Sequence, residues 1–283
     1  MHVHMEHHQI SELARQQQVS SWNRSPIIAD ADEYPVRIHT LGRFGIQHEQ
    51  AVVNLSQGRK QRPFKMLQAL IAFGGREVHA DLLCQALWPD AEGDMAQNSF
   101  DVTLHRLRRT FGIKDLFKLS DRHLTLDSEL AWVDAWEFER LINHCEKLLA
   151  QSYDLEAVRE MIDCSEQLLN LYQGTFLECE STHGWTLRLR ERLRSKLLRH
   201  ILDAGRTCEN HKCLDAAMRL YRKGLEIDPL IEELYLRLMS CYRDSGRIAE
   251  AIGTFNYCRI LLSQHLLITP SEATMKLYAS LRN

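Results

Sequence analysis

The chain has 283 residues, of which 45% are hydrophobic and 26% are charged, and its formal net charge is -3. This balance is typical of a globular protein and excludes a collagen-like fibre and a wholly disordered chain. No apolar run reaches the roughly 18 residues that span a bilayer, and the N-terminus lacks a signal-peptide pattern, so we expect a cytoplasmic protein with no membrane partner.

Charge is distributed unevenly along the chain. Residues 1–33 contain 2 basic and 5 acidic side chains, residues 34–127 contain 13 and 10, and residues 128–283 contain 20 and 23. The middle segment therefore carries a surplus of three positive charges. A surplus of this size is compatible with nucleic-acid binding but does not establish it, because arginines on exposed helix faces are commonly solvated.

The first segment and the cysteines give no sign of a cofactor. Residues 1–33 contain four histidines and a Gln- and Ser-rich stretch, and we expect a flexible leader there. The eight cysteines include no C-x-x-C pair, so the sequence predicts neither a zinc ribbon nor a redox centre. We expect reduced, buried thiols, and we predict no metal and no cofactor.

The middle segment, residues 34–133, shows a mixed pattern of strands and helices. Alternating apolar residues from Val36 to Ile46 predict short antiparallel strands. Three helical patterns follow: one after Gly58 that ends at Gly74, one over about 79–87, and one over about 94–111. Two alternating runs, 117–119 and 124–126, flank a polar turn and predict a hairpin.

After this segment the pattern is helical to the end of the chain. We predict helices over about 135–150, 154–172, 184–208, 212–227, 231–244, 248–265 and 271–282, with Asp134 as the N-cap of the first. A 34-residue period relates Ala217 to Ala251 and Tyr221 to Phe255, which is the tetratricopeptide period. The predicted fold is an α+β winged helix-turn-helix domain (34–133) followed by an all-α, tetratricopeptide-like domain (134–283).

The third helix of the middle segment is the candidate DNA reader. If the apolar residues Phe100, Leu104 and Leu107 face inward, a second set of side chains faces outward: Asn98, Val102, His105, Arg106 and Arg109. Arginine pairs with guanine, asparagine with adenine, and a valine methyl contacts the thymine methyl. We therefore predict base contacts from this face.

Further basic side chains flank that helix. Arg59, Lys60 and Arg62 at the start of the first helix are placed to contact phosphates, which adds affinity but little sequence information. Arg122 at the hairpin tip, with His123 beside it, is the candidate minor-groove or phosphate contact of the wing.

The order of these residues resembles a known architecture. The segments 58–62, 67–78, 82–90 and 98–109 resemble the OmpR-type winged helix, and 171–177, Trp185, 190–193 and Asp228-Pro229 resemble the bacterial transcriptional activator domain. Together they resemble the antibiotic-regulator (SARP) type of bacterial activator over about residues 35–283. Residues 1–33 match no part of this pattern.

The resemblance implies a function and two macromolecular partners. It implies an activator that binds double-stranded DNA at direct repeats near a promoter and recruits RNA polymerase, with the loop after the second helix as the polymerase contact. The loop residues concerned are Trp88, Asp90, Glu92 and Asp94. Whether the chain forms a homodimer on repeated sites is left open.

Three alternatives compete with this interpretation. An enzyme is disfavoured because the sequence has no phosphate-binding G-x-x-x-x-G-K-[ST] loop, no G-x-S-x-G elbow and no H-E-x-x-H motif. A tetratricopeptide adaptor would show no salt-dependent DNA retention. A ligand-sensing regulator would bind an effector on the helical domain, where Arg188, Arg190, Arg192 and Arg194 are candidate anion ligands, although ion pairs with Glu191 and its neighbours are the simpler interpretation.

Overall fold

The computed structural model describes residues 31–49, 51–53, 61–91, 93–151, 154–180 and 184–282. Within these ranges the helices are α1 (Gln61–Ala72), α2 (Ala80–Leu87), α3 (Gly93–Phe111), α4 (Asp134–Ala150), α5 (Leu155–Leu171), α6 (Gly184–Asn210), α7 (Leu214–Ile227), α8 (Glu232–Asp244), α9 (Ile248–Leu266) and α10 (Glu272–Ser280). The strands are β1 (Val36–His39), β2 (Gly45–His48), β3 (Ala51–Val52), β4 (Val78–His79), β5 (Phe117–Ser120), β6 (His123–Leu126) and β7 (Ala131–Val133). The leader prediction for residues 1–33 lies almost entirely outside the described residues.

The first sheet has the strand order β3-β2-β1-β7. Val36 lies opposite His48 in the antiparallel pair β1–β2 and opposite Ala131 in the parallel pair β1–β7. Val36 and Ile38 are buried while their neighbours in β1 are half-buried, which is the alternation expected of a strand with one face on the core. The sheet thus brings together the beginning and the end of the first half of the chain.

The second sheet forms the wing. Its order is β4-β6-β5, and β5 and β6 form a hairpin in which Ser120 lies opposite His123. The two residues of the turn, Asp121 and Arg122, both have positive φ angles, 48° and 63°. Positive φ at both central positions is the geometry that matches the twist of a two-residue hairpin. Helices α1, α2 and α3 pack together beside this sheet, so the predicted winged helix is confirmed as a fold.

The second half consists of antiparallel helix pairs, as predicted. Ala217 and Ala251, one repeat apart, are completely buried, and Tyr221 and Phe255 are buried between the helices. A Cβ added at Gly205 would overlap the ring of Tyr221, so the first repeat needs glycine at that position. The 34-residue period is therefore a packing period, with α6 and α7 contributing the first unit and α8 and α9 the second.

Two expectations about local chemistry are corrected. Cys145 on α4 and Cys164 on α5 form a disulfide, whereas the sequence led us to expect reduced thiols throughout. The two residues are 19 positions apart in the sequence and lie on adjacent helices, with their Cα atoms 6.0 Å apart. Because they do not form a C-x-x-C motif, the sequence alone did not indicate that they are close. Asp134 is the first residue of α4 and Val133 is its N-cap, which makes no side-chain capping bond.

The two halves share an extensive boundary. The apolar core is continuous from Val36 to Ala251. Arg190 on α6 is buried and donates from Nε to the carbonyl of Phe176 (2.9 Å) and from Nη2 to the carbonyl of Leu177 (2.7 Å). Leu177 in turn donates its N–H to the carbonyl of Thr40, at the end of β1 (2.7 Å). The segment before α6 is thereby held against the first sheet.

Among the described residues, no helix is both long enough and apolar enough to cross a membrane.

Candidate nucleic-acid interface

Helix α3 is amphipathic, and its buried side fixes which side chains face outward. Phe100, Leu104, Leu107 and Phe111 are at most 4% exposed. Their spacing of four, three and four residues keeps them on one side of a helix of 3.6 residues per turn. Asp94 in the first turn and basic residues in the last turn complement the helix dipole.

The five predicted reading residues share the opposite side of α3. Asn98, Val102, His105, Arg106 and Arg109 are all exposed, and Val102 retains 50% of its accessible surface. The polar side chains among them have no hydrogen bond or ion pair within the described part of the chain. We call these five residues the α3 outer face. Their donors are therefore free to meet an external acceptor.

Sequence reasoning missed an exposed apolar residue that lies next to the α3 outer face. Met95 is 70% exposed and lies seven residues, or two turns, before Val102. Asp101, beside Val102, is also exposed and accepts hydrogen bonds from Gln97 at 3.2 Å. Extending the helical period backward from Val102 would have identified Met95.

Arg108 has a structural role that separates it from its neighbours. Its Nε and Nη2 donate to the carbonyl of Phe117 at 3.2 and 2.7 Å. Phe117 begins β5, and its ring packs against Phe111 with the ring centroids 5.6 Å apart. Arg108 thus fixes the wing relative to α3, while Arg106 and Arg109 point away.

The predicted phosphate contacts at the start of α1 are described in part. Arg59 and Lys60 lie outside the described residues. Arg62 is exposed, and its Nη1 donates to the carbonyl of Leu87 at 3.0 Å. Because Leu87 is the last residue of α2, this bond satisfies one of the free carbonyls at that helix end.

The wing tip lies against the start of α2. Arg122 donates from Nη2 to Asp81 in the first turn of α2, and this ion pair is partly exposed. The rings of His123 and His79 meet edge to face with centroids 5.0 Å apart. Lys118 on β5 forms an ion pair with Asp127, which lowers the pKa of that carboxyl. The wing residue Arg122 is therefore at the surface but has a partner in the free protein.

A cleft joins the wing tip to the loop between α2 and α3. It has a volume of about 630 Å³ and is lined by Trp88, Asp94 and Gln97 on one side and by Asp81 and Arg122 on the other. Trp88 is half-buried, and Asp90 and Asp94 are exposed. Glu92, the remaining residue of the predicted polymerase contact, lies outside the described residues.

Of the four arginines of α6 predicted as anion ligands, three are engaged within the chain and the fourth, Arg188, is exposed. Arg190 is buried, and its guanidinium donates hydrogen bonds to the backbone carbonyls of Phe176 and Leu177. Arg192 pairs with Glu139 at 3.1 Å, and Arg194 pairs with Glu191 at 3.3 Å and with Asp228 at 2.5 Å. The sequence analysis favoured ion pairs over an anion site for these arginines, and Arg192 and Arg194 do form ion pairs.

Within the described ranges, no group of three or more histidine, cysteine or acidic residues is placed to hold a metal ion.

Comparison with known proteins adds a family and a fold. The model of the bacterial transcriptional activator domain matches residues 133–282. A structure of Mycobacterium tuberculosis EmbR in complex with a low-affinity phosphopeptide is similar, with a TM-score of 0.65 and 18% identity over 88% of this chain. The chain spans 65% of the length of that EmbR chain. A structure of a MamA mutant has 20% identity over 52% of this chain and 85% of its own, but its TM-score is 0.26. No curated protein matches.

Proposed function

The chain belongs to the family of the bacterial transcriptional activator domain, in the SARP-type arrangement of a winged helix followed by that domain. From this premise we propose that it binds direct repeats in promoter DNA and recruits RNA polymerase. The family is one of transcriptional regulators, and the proposal assigns the chain no catalytic role. Its place of action would be the nucleoid in the cytoplasm.

One observation carries the DNA-binding part of the proposal. The α3 outer face presents two arginines, a histidine and an asparagine whose side chains have no partner in the described part of the chain. In helix-turn-helix proteins the corresponding helix enters the major groove and contacts base edges with three or four side chains. A valine between these donors supplies the apolar contact that a thymine methyl requires.

The supporting contacts follow from the surrounding geometry. Arg62 at the start of α1 and Arg122 at the wing tip lie on separate elements around α3, and each makes one contact within the chain that leaves it exposed. Phosphate contacts from such positions orient the protein on DNA and make its affinity dependent on salt. We propose the same role for Arg59, Lys60 and His123.

The test of this part is selection of genomic DNA fragments by the full chain. We expect the retained fragments to share a short motif that recurs in the same orientation about one helical turn, 10 to 11 base pairs, away. Retention should fall as salt rises. Recovery of fragments without a common motif, at an affinity equal to that for scrambled DNA, would contradict sequence-specific binding and favour the adaptor function.

Polymerase recruitment is proposed for the loop that contains Trp88, Asp90, Glu92 and Asp94. Asp90 and Asp94 are exposed beside an open cleft, and no hydrogen bond or ion pair engages either side chain within the described residues. The variants Asp90→Ala and Trp88→Ala should reduce activated transcription in vitro while operator affinity stays unchanged. Glu129→Ala, an exposed acid outside the loop, is the control. Full activation by both loop variants would contradict this assignment.

A further inference from the structure

A cavity lies between the turn that follows α1 and the beginning of α4. Its volume is about 400 Å³, within the range of roughly 300–1,000 Å³ that is typical of small-molecule sites. It is lined by Gly74 and Arg76 from the turn, by Trp132 and Trp136 from β7 and α4, and by Tyr34 before β1. None of these residues lines the cleft at the wing tip or belongs to the α3 outer face. The cavity is therefore separate from the DNA interface described above. We call it the boundary cavity.

Packing fixes the aromatic lining of the boundary cavity. A Cβ added at Gly75, which has a φ angle of 77°, would overlap the ring of Trp136. The carbonyl of Gly75 accepts the N–H of Leu126 in β6 at 2.8 Å. The ring of Trp132 meets His39 edge to face, with the ring centroids 5.5 Å apart. Because these rings are held in place, a ligand that enters the cavity finds a preorganised site.

Both indole N–H groups of this lining lack a hydrogen bond. Nε1 of Trp132 and Nε1 of Trp136 are buried and have no partner among the described residues. Trp132 as a whole is 7% exposed. A buried indole N–H usually has an acceptor. Since an indole nitrogen can only donate, the group that would satisfy it is an acceptor.

The positive charge at the cavity has no carboxylate as its hydrogen-bond partner. Arg76 is exposed, and its Nη2 donates to the hydroxyl of Ser128 at 2.7 Å. Glu129 also lines the cavity, but it is exposed, and water screens an exposed charge. Arg76 can therefore pair with an anion that enters from outside.

The other two glutamates of the lining are engaged by cations of the chain. Glu137 accepts hydrogen bonds from Arg140 at 2.8 and 2.5 Å. Glu139 pairs with Arg192 at 3.1 Å and with Lys196 at 3.6 Å. These ion pairs offset the negative charge that would otherwise repel an anionic ligand.

We propose that the boundary cavity binds a small aromatic carboxylate. A carboxylate only accepts hydrogen bonds, which matches the donors Trp132, Trp136 and Arg76, and a bond from a guanidinium to a carboxylate is stronger than a neutral one. The partly exposed rings of Tyr34 and Trp136 provide an apolar surface for the aromatic body. A ligand in this position contacts both the turn that leads to the wing and the first helix of the second half.

The test is equilibrium dialysis of the full chain without DNA, with 2-naphthoate as the probe. A ligand of about 13 non-hydrogen atoms should bind with a dissociation constant on the order of 100 µM. The neutral analogue 2-naphthamide has the same rings and should bind at least about tenfold more weakly, because it loses the charge-assisted bonds. Acetate has the carboxylate without the rings and should show no binding up to about 5 mM.

Three variants assign the binding to the boundary cavity. Arg76→Ala removes the exposed cation and should weaken binding of 2-naphthoate about tenfold. Trp132→Phe and Trp136→Phe each keep an aromatic ring but remove the indole donor, and each should also weaken binding. Arg259→Ala, which removes an exposed arginine of α9, is the control and should bind like the wild type.

A melting curve of each variant separates loss of the site from loss of folding. Arg76 is at the surface, so Arg76→Ala should melt with the wild type. The tryptophan variants remove donors that have no partner in the protein, so the loss of the N–H itself costs no hydrogen bond.

Three results would each overturn the proposal: no binding of 2-naphthoate up to about 5 mM, equal affinity for 2-naphthoate and 2-naphthamide, or wild-type affinity in Arg76→Ala and in both tryptophan variants. The measurement needs no DNA. A chain that binds 2-naphthoate in this cavity but no DNA would contradict the proposed function and leave this inference intact.

Discussion

The carboxylate of Asp134 binds the backbone N–H of Thr40 with both oxygens, at 2.7 and 2.8 Å. It also accepts from the hydroxyl of Thr40 at 2.5 Å and from the N–H of Leu41 at 2.9 Å. Thr40 follows the first strand of the winged helix, and Asp134 begins the first helix of the second half. One buried carboxylate therefore accepts the backbone N–H groups that follow β1 and holds the start of the helical half against the end of that strand.

Replacement of this side chain should be costly. Asp134→Ala leaves the N–H groups of Thr40 and Leu41 buried without acceptors, and each orphaned group costs about 1–3 kcal/mol. We expect the free energy of unfolding to fall by about 3 kcal/mol in a denaturant titration. Asp244→Ala, which removes an exposed acid, is the control and should change it by less than about 0.5 kcal/mol. Equal midpoints for the two variants would contradict the role assigned to Asp134.

A buried histidine makes stability depend on pH. His200 is 2% exposed, its Nε2 lies 2.9 Å from the hydroxyl of Ser165, and its Nδ1 has no partner among the described residues. Burial lowers its pKa to about 4. As the pH falls, the unfolded chain, with a histidine pKa of about 6.5, takes up the proton before the folded chain does. The contribution of neutral His200 to the free energy of unfolding is therefore fully present above about pH 6.5 and is lost as the pH falls toward 4.

The measurement is the free energy of unfolding at pH 7.5 and at pH 5. The wild type should lose about 2 kcal/mol more between these values than His200→Gln, since the variant has no imidazole to protonate. The difference between the two pH dependences removes the common contribution of the carboxylates. Parallel pH profiles would show that His200 is not buried in its neutral form.

The wing arginine should contribute mainly non-specific affinity. Arg122→Ala should weaken binding to many DNA sequences alike and reduce the slope of log affinity against log salt by about one unit. Since Arg122 pairs with Asp81 in the free protein, Asp81→Ala should release the guanidinium and strengthen DNA retention. Arg243→Ala, in the helical half, is the control. An unchanged salt slope for Arg122→Ala would remove the wing from the proposed interface.

Elements that depend only on consecutive residues could be predicted from the sequence. The predicted third helix, 94–111, and its stop at Gly112 agree with α3 to within one residue, because inward apolar spacing and a terminal glycine with φ of 67° are both properties of consecutive residues. The same applies to the hairpin, whose strands alternate and whose turn is polar. The exposure of the five residues of the α3 outer face followed from the same inward spacing.

Features that depend on distant partners were not predictable in this way. Strand β7 is three residues long and buried throughout, and it exists because it pairs with β1 almost 100 residues earlier. Asp134 resembles a local N-cap in sequence, but its carboxylate accepts from Thr40 and Leu41 instead. The disulfide and the Arg122–Asp81 pair likewise join segments that the sequence leaves unconnected.

The most direct test of the central claim is the ratio of dissociation constants for operator and scrambled DNA, measured at one salt concentration with the full chain. Arg109→Ala and His105→Ala should each reduce discrimination by about 1–3 kcal/mol, because each removes a base contact from the α3 outer face. Arg199→Ala, an exposed arginine of α6, should leave the ratio unchanged. Wild-type discrimination by both Arg109→Ala and His105→Ala would show that α3 does not read the operator.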